Sequence, residues 1–434
     1  MKKLGVYCAI LMLIPGAVPG SAAELAFPGQ ADLSVLVQRS GAAAENLRLG
    51  ELALENNDDY AAAEFLSSAL QGRLDDPSAQ LRAANYLHRS YLRTNQKALA
   101  DELLEQLRTQ KEFANEKQLL LLMQIRTEAF AGNHSKVIEL CRQAEIADQT
   151  GNQASCELLE LQGRAFQCLG DCKAARQSFE RLLKLAGKDD CARLVALDGI
   201  VLNSLGLKDT NQARKALDTL KKTVPEELQK KFAARLQQLE WLTDASAGNT
   251  AAMETPFRFL AEKSEPPNVL LSRIALVLGD NYSSKKEFAV AGKYYAIAFK
   301  LAEIDFKQTA LGAMLKNDLT AGDLKSALEH TRLYRKLYPA ADDAHTMALL
   351  EAHLHNHLKD GKSAESTYLM LQKDDRVPQD IRYASALELI KIYQKSNRSG
   401  DAEKLFRFAI NIAPDLKQKN MLRQLLGEYF YQLG

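Results

Sequence analysis

A small residue recurs along this 434-residue chain at a nearly constant interval, and that interval limits the fold more than any other feature. The positions are Ala62, Ala100, Val137, Ala175, Ala213, Ala251, Ala291, Ala327, Ala364 and Ala402, with successive separations of 38, 37, 38, 38, 38, 40, 36, 37 and 38. Most anchors open a pattern in which an aromatic or apolar residue follows four positions later and another apolar residue three beyond that; Ala251, followed by Thr255 and Arg258, and Ala327, followed by Thr331, depart from it. Ala175, Phe179 and Leu182 form a clear copy, as do Ala291, Tyr295 and Ala298, and Ala402, Phe406 and Ala409. Spacings of four and three place these side chains on one face of an α-helix.

A second helical pattern precedes each anchor, separated from it by a turn: Gly132-Asn133, Gly170-Asp171, Gly322-Asp323, and the stretch from Asn397 to Gly400. The unit is therefore a helix hairpin with a short connection. Small anchors let the two helices approach closely, and the aromatic four residues later fills space beside the next hairpin. A lone hairpin cannot bury its own apolar face, so stability comes from stacking neighbours. Composition agrees, because charged residues make up 26% of the chain and tryptophan occurs once, at Trp241.

These positions resemble the tetratricopeptide repeat. Leu278-Gly279, Tyr282, Phe288, Ala291, Tyr295 and Ala298 match its signature, as do Leu159, Gly163, Phe166, Gly170, Ala175 and Phe179, and Tyr393, Ala402, Phe406, Ala409 and Pro414. Pro225, Pro339 and Pro414 stand where that family often ends its second helix. The resemblance implies an all-α, right-handed superhelical solenoid of about ten TPR-like hairpins, covering 42–415. Residues 416–434, ending in Tyr429, Phe430 and Tyr431 before the last three residues, read as a C-terminal capping helix.

The first 23 residues read as a cleaved signal peptide. Lys2 and Lys3 precede the apolar stretch Leu4 to Leu13, Pro15 and Gly16 break it, and Ser21-Ala22-Ala23 supplies small residues before Glu24. That apolar stretch is shorter than the roughly 20 residues needed to span a bilayer. The expectation is export to the periplasm or cell envelope, with no membrane span in the mature chain. Residues 24–41 read as a linker with a short N-terminal capping helix over Leu33 to Arg39. Losing Lys2 and Lys3 changes the balance of Lys and Arg against Asp and Glu from 56 to 55 into 54 to 55. A nearly neutral chain has no overall field for nucleic acid, which is not an expected partner.

The five cysteines beyond Cys8 all lie between Cys141 and Cys191. Export permits oxidation, so disulfides are expected here. Cys168 and Cys172 flank a hairpin turn and form one candidate bridge. Cys156 and Cys191 open the first helices of consecutive repeats and form another, while Cys141 points inward as a buried thiol. The rival readings are inert buried thiols and a metal site, but the pair Cys168 and Cys172 lacks the usual two-residue spacing of zinc thiolates, and no C-x-x-C motif supports redox catalysis. His353 and His357, one helical turn apart, lack an assignable third ligand, and His355 takes a packing position usually held by an aromatic. No metal and no cofactor is expected.

The sequence contains no nucleophile elbow, phosphate-cradling glycine loop or paired His-Glu motif, so no catalytic residues are assigned and the chain is not expected to be an enzyme. In the family it resembles, ligands lie along the concave surface made by the first helices. Counting back from the anchors puts Arg82, Asn85, Arg89 and Arg93 there, followed by Arg126 and Arg164. Arginine forks suit carboxylates, so the expected partners are other proteins or peptides with acidic segments. Farther along the row are Asp280, Lys316, His353, His357, Lys391 and Lys395, a mixed set. The competing readings are solvated helix faces, a structural subunit of an envelope or secretion complex, and a metal- or thiol-responsive envelope protein.

Overall fold

The computed structural model describes residues 43–433 except 73, 114 and 148–151. The leader, the linker and the short capping helix expected before residue 42 lie outside the described residues. Among the described residues there are 22 α-helices, one turn of 3-10 helix at Lys111–Phe113, and no strand.

The described residues divide into two compact units, one up to Asn249 and one from Thr250. The first holds α1 (Ala43–Glu55), α2 (Asp59–Gln71), α3 (Pro77–Arg93), α4 (Lys97–Thr109), α5 (Lys117–Phe130), α6 (His134–Ala147), α7 (Asn152–Cys168), α8 (Cys172–Ala186), α9 (Asp190–Gly206), α10 (Thr210–Thr223), the short α11 (Glu226–Lys231) and α12 (Ala233–Ser246). Its helices pair as antiparallel hairpins from α1/α2 to α9/α10. The first helices α3, α5, α7, α9 and α12 touch in turn along one face.

The second unit holds α13 (Glu254–Lys263), α14 (Val269–Ser284), α15 (Phe288–Leu301), α16 (Ile304–Ala321), α17 (Leu324–Leu337), α18 (Ala344–His357), α19 (Gly361–Lys373), α20 (Gln379–Lys395), α21 (Ser399–Ile412) and α22 (Leu416–Leu433). Hairpins α14/α15, α16/α17, α18/α19 and α20/α21 stack in order, and α22 packs on α21. Both units are all-α stacks of tetratricopeptide-like hairpins.

Nine of the ten anchors are fully buried: Ala62, Ala100, Val137, Ala175, Ala213, Ala291, Ala327, Ala364 and Ala402. The exception is Ala251, which lies exposed in a turn. Its place is taken by Met253, buried together with Phe257 and Ala261. The backbone explains the shift. Each hairpin turn carries one residue in the left-handed region: Asn57, Asn95, Gly132, Gly170, Lys208, Gly248, Lys286, Gly322, Lys359 and Asn397. Every buried anchor follows its left-handed residue by five positions, and Gly248 therefore selects Met253. Five of these turns continue into an aspartate that caps the second helix. Asp58, Asp171, Asp209, Asp323 and Asp360 each accept from a backbone N–H three residues on.

Close packing of small and aromatic residues locks neighbouring helices together. A Cβ on Gly163 would lie 2.9 Å from the Phe179 ring, and one on Gly199, in the next hairpin, 2.5 Å from the same ring. Phe179 is thus clasped between two helices that carry no side chain where they meet it. Gly279 repeats the arrangement, with a Cβ there 2.5 Å from the Tyr295 ring. Tyr295 also donates through its hydroxyl to Asp280, 2.8 Å away.

The C-terminal helix covers the last hairpin, burying Leu422 and Tyr429. The Tyr429 ring centroid lies 6.1 Å from that of Phe406. Leu416, Met421, Leu425, Phe430 and Tyr431 of the same helix are exposed.

Two substitutions separate the packing role from the turn role. Gly279→Ala has a more favourable helix propensity, yet forces Tyr295 to move, and is expected to lower stability by about 1–3 kcal/mol. Lys286→Gly removes a left-handed side chain and is expected to raise stability by roughly 1 kcal/mol. Urea-denaturation midpoints of the two variants should move in opposite directions; a shared direction would show that packing and turn geometry are not separable in this way.

Candidate functional site

The first-helix face of unit 1 brings the arginine row together. Helices α3, α5 and α7 lie side by side, so residues at equivalent heights meet across helix boundaries. Arg126 of α5 forms a fork with Glu157 of α7, with N–O distances of 2.6 and 2.7 Å, and its remaining amine donates to Asn85 Oδ1 of α3 at 2.6 Å. The Arg126 side chain is 7% exposed and that of Glu157 is 16% exposed. Burial pushes the Glu157 carboxyl upward, but Arg126, Arg89 and Arg93 outweigh it and hold the group below the usual carboxylate range.

The other predicted residues also have carboxylates nearby. Arg82 pairs with Glu51 at 3.0 Å across α3 and α1, where both side chains are exposed. Arg93 reaches Asp59 at the start of α2 at 3.1 Å, with its own side chain 8% exposed. Arg164 pairs with Glu160 one turn earlier on α7 at 2.7 Å. The Glu160 carboxyl is buried and is pushed up by that burial, with Arg164 opposing. Arg89 sits within the field of Glu157, Arg126 and Arg93, and desolvation lowers its guanidinium to about 10.

Five guanidinium groups on this face therefore meet four carboxylates, Glu51, Asp59, Glu157 and Glu160. The row that sequence spacing makes uniformly basic is largely neutralised from within. Glu157 and Glu160 are absent from the residues the spacing singles out, because counting back from the anchors passes over the carboxylate four residues from Arg164 and the one across the helix boundary from Arg126. Arg93 Nη2 is buried with no hydrogen-bond acceptor among the described residues.

Beneath this network, His88 of α3 contacts Thr127 Oγ1 of α5 at 3.0 Å and is fully buried. Desolvation, reinforced by Arg126, lowers its pKa to about 3, so the ring is neutral in the fold.

The expected disulfides are not formed: Cys141, Cys156, Cys168, Cys172 and Cys191 are all thiols. Cys168 is exposed at the end of α7, whereas the Cys172 sulfur lies over Gly206 of α9, only 2.5 Å from where a Cβ would sit. The turn thus directs the two side chains to different surroundings. Cys156 and Cys191 are buried in the first turns of α7 and α9. Burial first, then Asp189 and Glu160, raise the Cys156 thiol above its ordinary pKa and keep it protonated.

No group of three or more metal-ligating side chains suited to holding a metal occurs among the described residues. The His353 ring packs against Tyr368 with centroids 5.6 Å apart, and His357 is exposed. His355 takes the buried packing position expected of it, with Nε2 2.9 Å from Arg332 Nη2 and Nδ1 2.9 Å from Asp360. No helix among the described residues is long and apolar enough to cross a membrane.

No family profile matches this chain, and no curated protein does. Among solved structures, the chain is similar to the APC/C hetero-tetramer Cut9–Hcn1, at 12% identity over 91% of this chain and 99% of that one, with a TM-score of 0.35. It is similar to the apo form of RapI, at 12% identity over 87% of this chain and 98% of that one, with a TM-score of 0.41. A tetratricopeptide repeat protein from Parabacteroides merdae is a further neighbour, at 15% identity over 64% of this chain and 99% of that one, with a TM-score of 0.39.

Two predictions follow from the buried network. Arg126→Met removes the fork on Glu157 and leaves that buried carboxylate only the fields of Arg89 and Arg93, at an expected cost of about 3 kcal/mol, measured by urea denaturation at neutral pH. His88 has a folded pKa of about 3 against an ordinary 6.5, so the unfolded chain binds its proton first as pH falls. Its contribution is complete above pH 6.5 and is lost progressively toward pH 3. At pH 5 the loss amounts to about 2 kcal/mol. His88→Asn should flatten the pH dependence between 6.5 and 5 relative to the parent chain, and an unchanged slope would locate the sensitivity elsewhere.

Proposed function

We propose that this chain is a non-catalytic protein- or peptide-binding scaffold of the cell envelope, which holds acidic partner segments against the first-helix face of unit 1. The observation that carries this reading is Arg93 Nη2, which is buried on that face without an acceptor among the described residues. Leaving such a donor unmade is costly, and a ligand carboxylate would satisfy it. Arg126 and Asn85 then act as a brace that sets the spacing of α3, α5 and α7, while Arg89 and Arg93 meet the ligand. Arg82 and Arg164, nearer solvent, steer the approach.

The leader pattern supports an exported location, with a mature chain beginning at Glu24. A second reading, a structural subunit of an envelope assembly, is favoured by the exposed apolar residues Met421, Leu425, Phe430 and Tyr431 on α22.

The test is capture from solubilised envelope by the mature chain, compared with Arg89→Gln and with a double variant of Met421→Ser and Leu425→Ser. Loss of the captured protein by at least tenfold with Arg89→Gln alone supports the groove. Loss only with the α22 variant supports the structural reading and refutes the groove. Mass spectrometry of the exported fraction should find Glu24 at the N-terminus, and a retained leader there would refute cleavage after Ala23.

A further inference from the structure

The second helices of unit 1 differ sharply in charge, although the whole chain is nearly neutral. Helix α2 carries two acids, Asp59 and Glu64, and no base, and α4 carries Asp101, Glu102 and Glu105 against Lys97 and Arg108. Two hairpins farther on the balance inverts. Helix α8 carries Lys173, Arg176, Arg181 and Lys184 against Glu180, and α10 carries Arg214, Lys215, Lys221 and Lys222 against Asp218.

Packing holds these two basic helices side by side. Helix α9 lies against both. At their first turns Arg176 of α8 pairs with Asp209, the residue that caps α10, at 3.2 Å. At their last turns Arg193 of α9 donates to the carbonyl of Gly187, just after α8, and to that of Thr223, the last residue of α10, at 3.1 Å. Residues at equivalent heights therefore share one surface. Lys184 and Lys222 are such a pair, each exposed and each nine positions after its anchor, Ala175 or Ala213.

The ion pairs of this region are made by Arg176, Arg193, Arg214 and Lys221. Six exposed lysines have no ion-pair partner among the described residues: Lys173, Lys184 and Lys188 along α8, and Lys208, Lys215 and Lys222 along α10. Acids close by are engaged, since Asp171, Asp189 and Asp209 cap helices, Glu180 lies 3.6 Å from Arg176, and Asp190 pairs with Arg193. Asp218 is the exposed acid of the two helices. Helix stability does not account for the set. Lys184 and Lys222 complement the C-terminal ends of their helices, but Lys173 and Lys208 stand at N-terminal ends, where a cation opposes the helix dipole.

Three leucines are exposed among these ammonium groups. Leu169 and Leu207 take equivalent places in consecutive hairpin turns, six positions before Ala175 and Ala213, and Leu185 stands between Lys184 and Lys188. Apolar side chains ringed by lysines suit the headgroup boundary of an anionic bilayer, into which the leucines enter while the ammonium groups stay with the phosphates. Nucleic acid is the poorer fit, because Phe179 of α8 is buried and α10 has no aromatic ring on which a base could stack.

We propose that the outer face of α8 and α10 docks on an anionic lipid bilayer, with the six lysines against lipid phosphates and Leu169, Leu185 and Leu207 in the headgroup boundary. The arginine row on the first helices takes no part in this contact.

Flotation of the chain from Glu24, which lacks the apolar leader, tests this with two kinds of vesicle: phosphatidylcholine alone, and equal parts phosphatidylcholine and phosphatidylglycerol. The chain is expected to float with the anionic vesicles only, and to be released at about 1 M salt, where the Debye length is about 3 Å. Each lysine near such a surface is worth roughly fivefold in binding, so Lys184→Gln with Lys222→Gln should bind at least tenfold more weakly. Lys184→Glu with Lys222→Glu should bind more weakly still, and the Gln pair carries the test if charge reversal costs helicity by circular dichroism. Leu185→Ser should weaken binding without altering its salt dependence. Arg89→Gln should float as the parent does, which keeps failure here distinct from failure of the groove. The proposal is overturned by equal flotation with both kinds of vesicle, or by undiminished flotation of the Gln and Glu pairs. It is equally overturned if duplex DNA is bound while no vesicle is.

Discussion

Everything in this molecule depends on how closely adjacent helices can approach one another. Phe179 illustrates the constraint: its ring occupies space that a Cβ on either Gly163 or Gly199 would need. Small anchors such as Ala175 let the two helices of a hairpin close up, and the ring then reaches the following hairpin. Removing the space or the ring would break contacts within one hairpin and between two. Burial on this scale is unavailable to a single hairpin, so each unit is held together by its neighbours.

Close approach also explains the charge network. Once α3, α5 and α7 are drawn together, arginines and glutamates on their shared face lose water and must find partners from the same chain. Arg126 does so through a bidentate contact with Glu157 and a third bond to Asn85. Such a pair stabilises chiefly by avoiding the penalty of a lone buried charge, and it fixes helix register. Arg89 shows what that desolvation does, its guanidinium held down by burial and by neighbouring arginines while Glu157 opposes them.

Repeat positions were legible because they depend on local chemistry. An alanine followed four residues later by an aromatic specifies a helix face whatever surrounds it, and a glycine or asparagine at a turn supplies the left-handed residue. Ala251 was misplaced for a related reason: two residues separate it from the position that Gly248 selects, and Met253 does not look like an anchor until its burial is seen. Lysines 208, 286 and 359 adopt the left-handed conformation without any compositional sign of it. The cysteines were misleading because proximity along the chain says nothing of side-chain direction, and Cys172 turns toward Gly206.

The amino-acid sequence by itself determined the helix hairpin, its period, and which residues form the buried stripe, because those follow from periodicity and side-chain volume. It also placed Arg82, Asn85, Arg89, Arg93, Arg126 and Arg164 on first helices. Tertiary structure decided what charge that face presents, since Glu157 and Glu160 neutralise much of it from positions that only helix apposition brings near. It likewise decided that Gly312 borders open space while Gly279 meets a ring. Identical residues in equivalent helices differ in role because packing distance, which no local pattern encodes, sets whether a side chain meets protein or solvent.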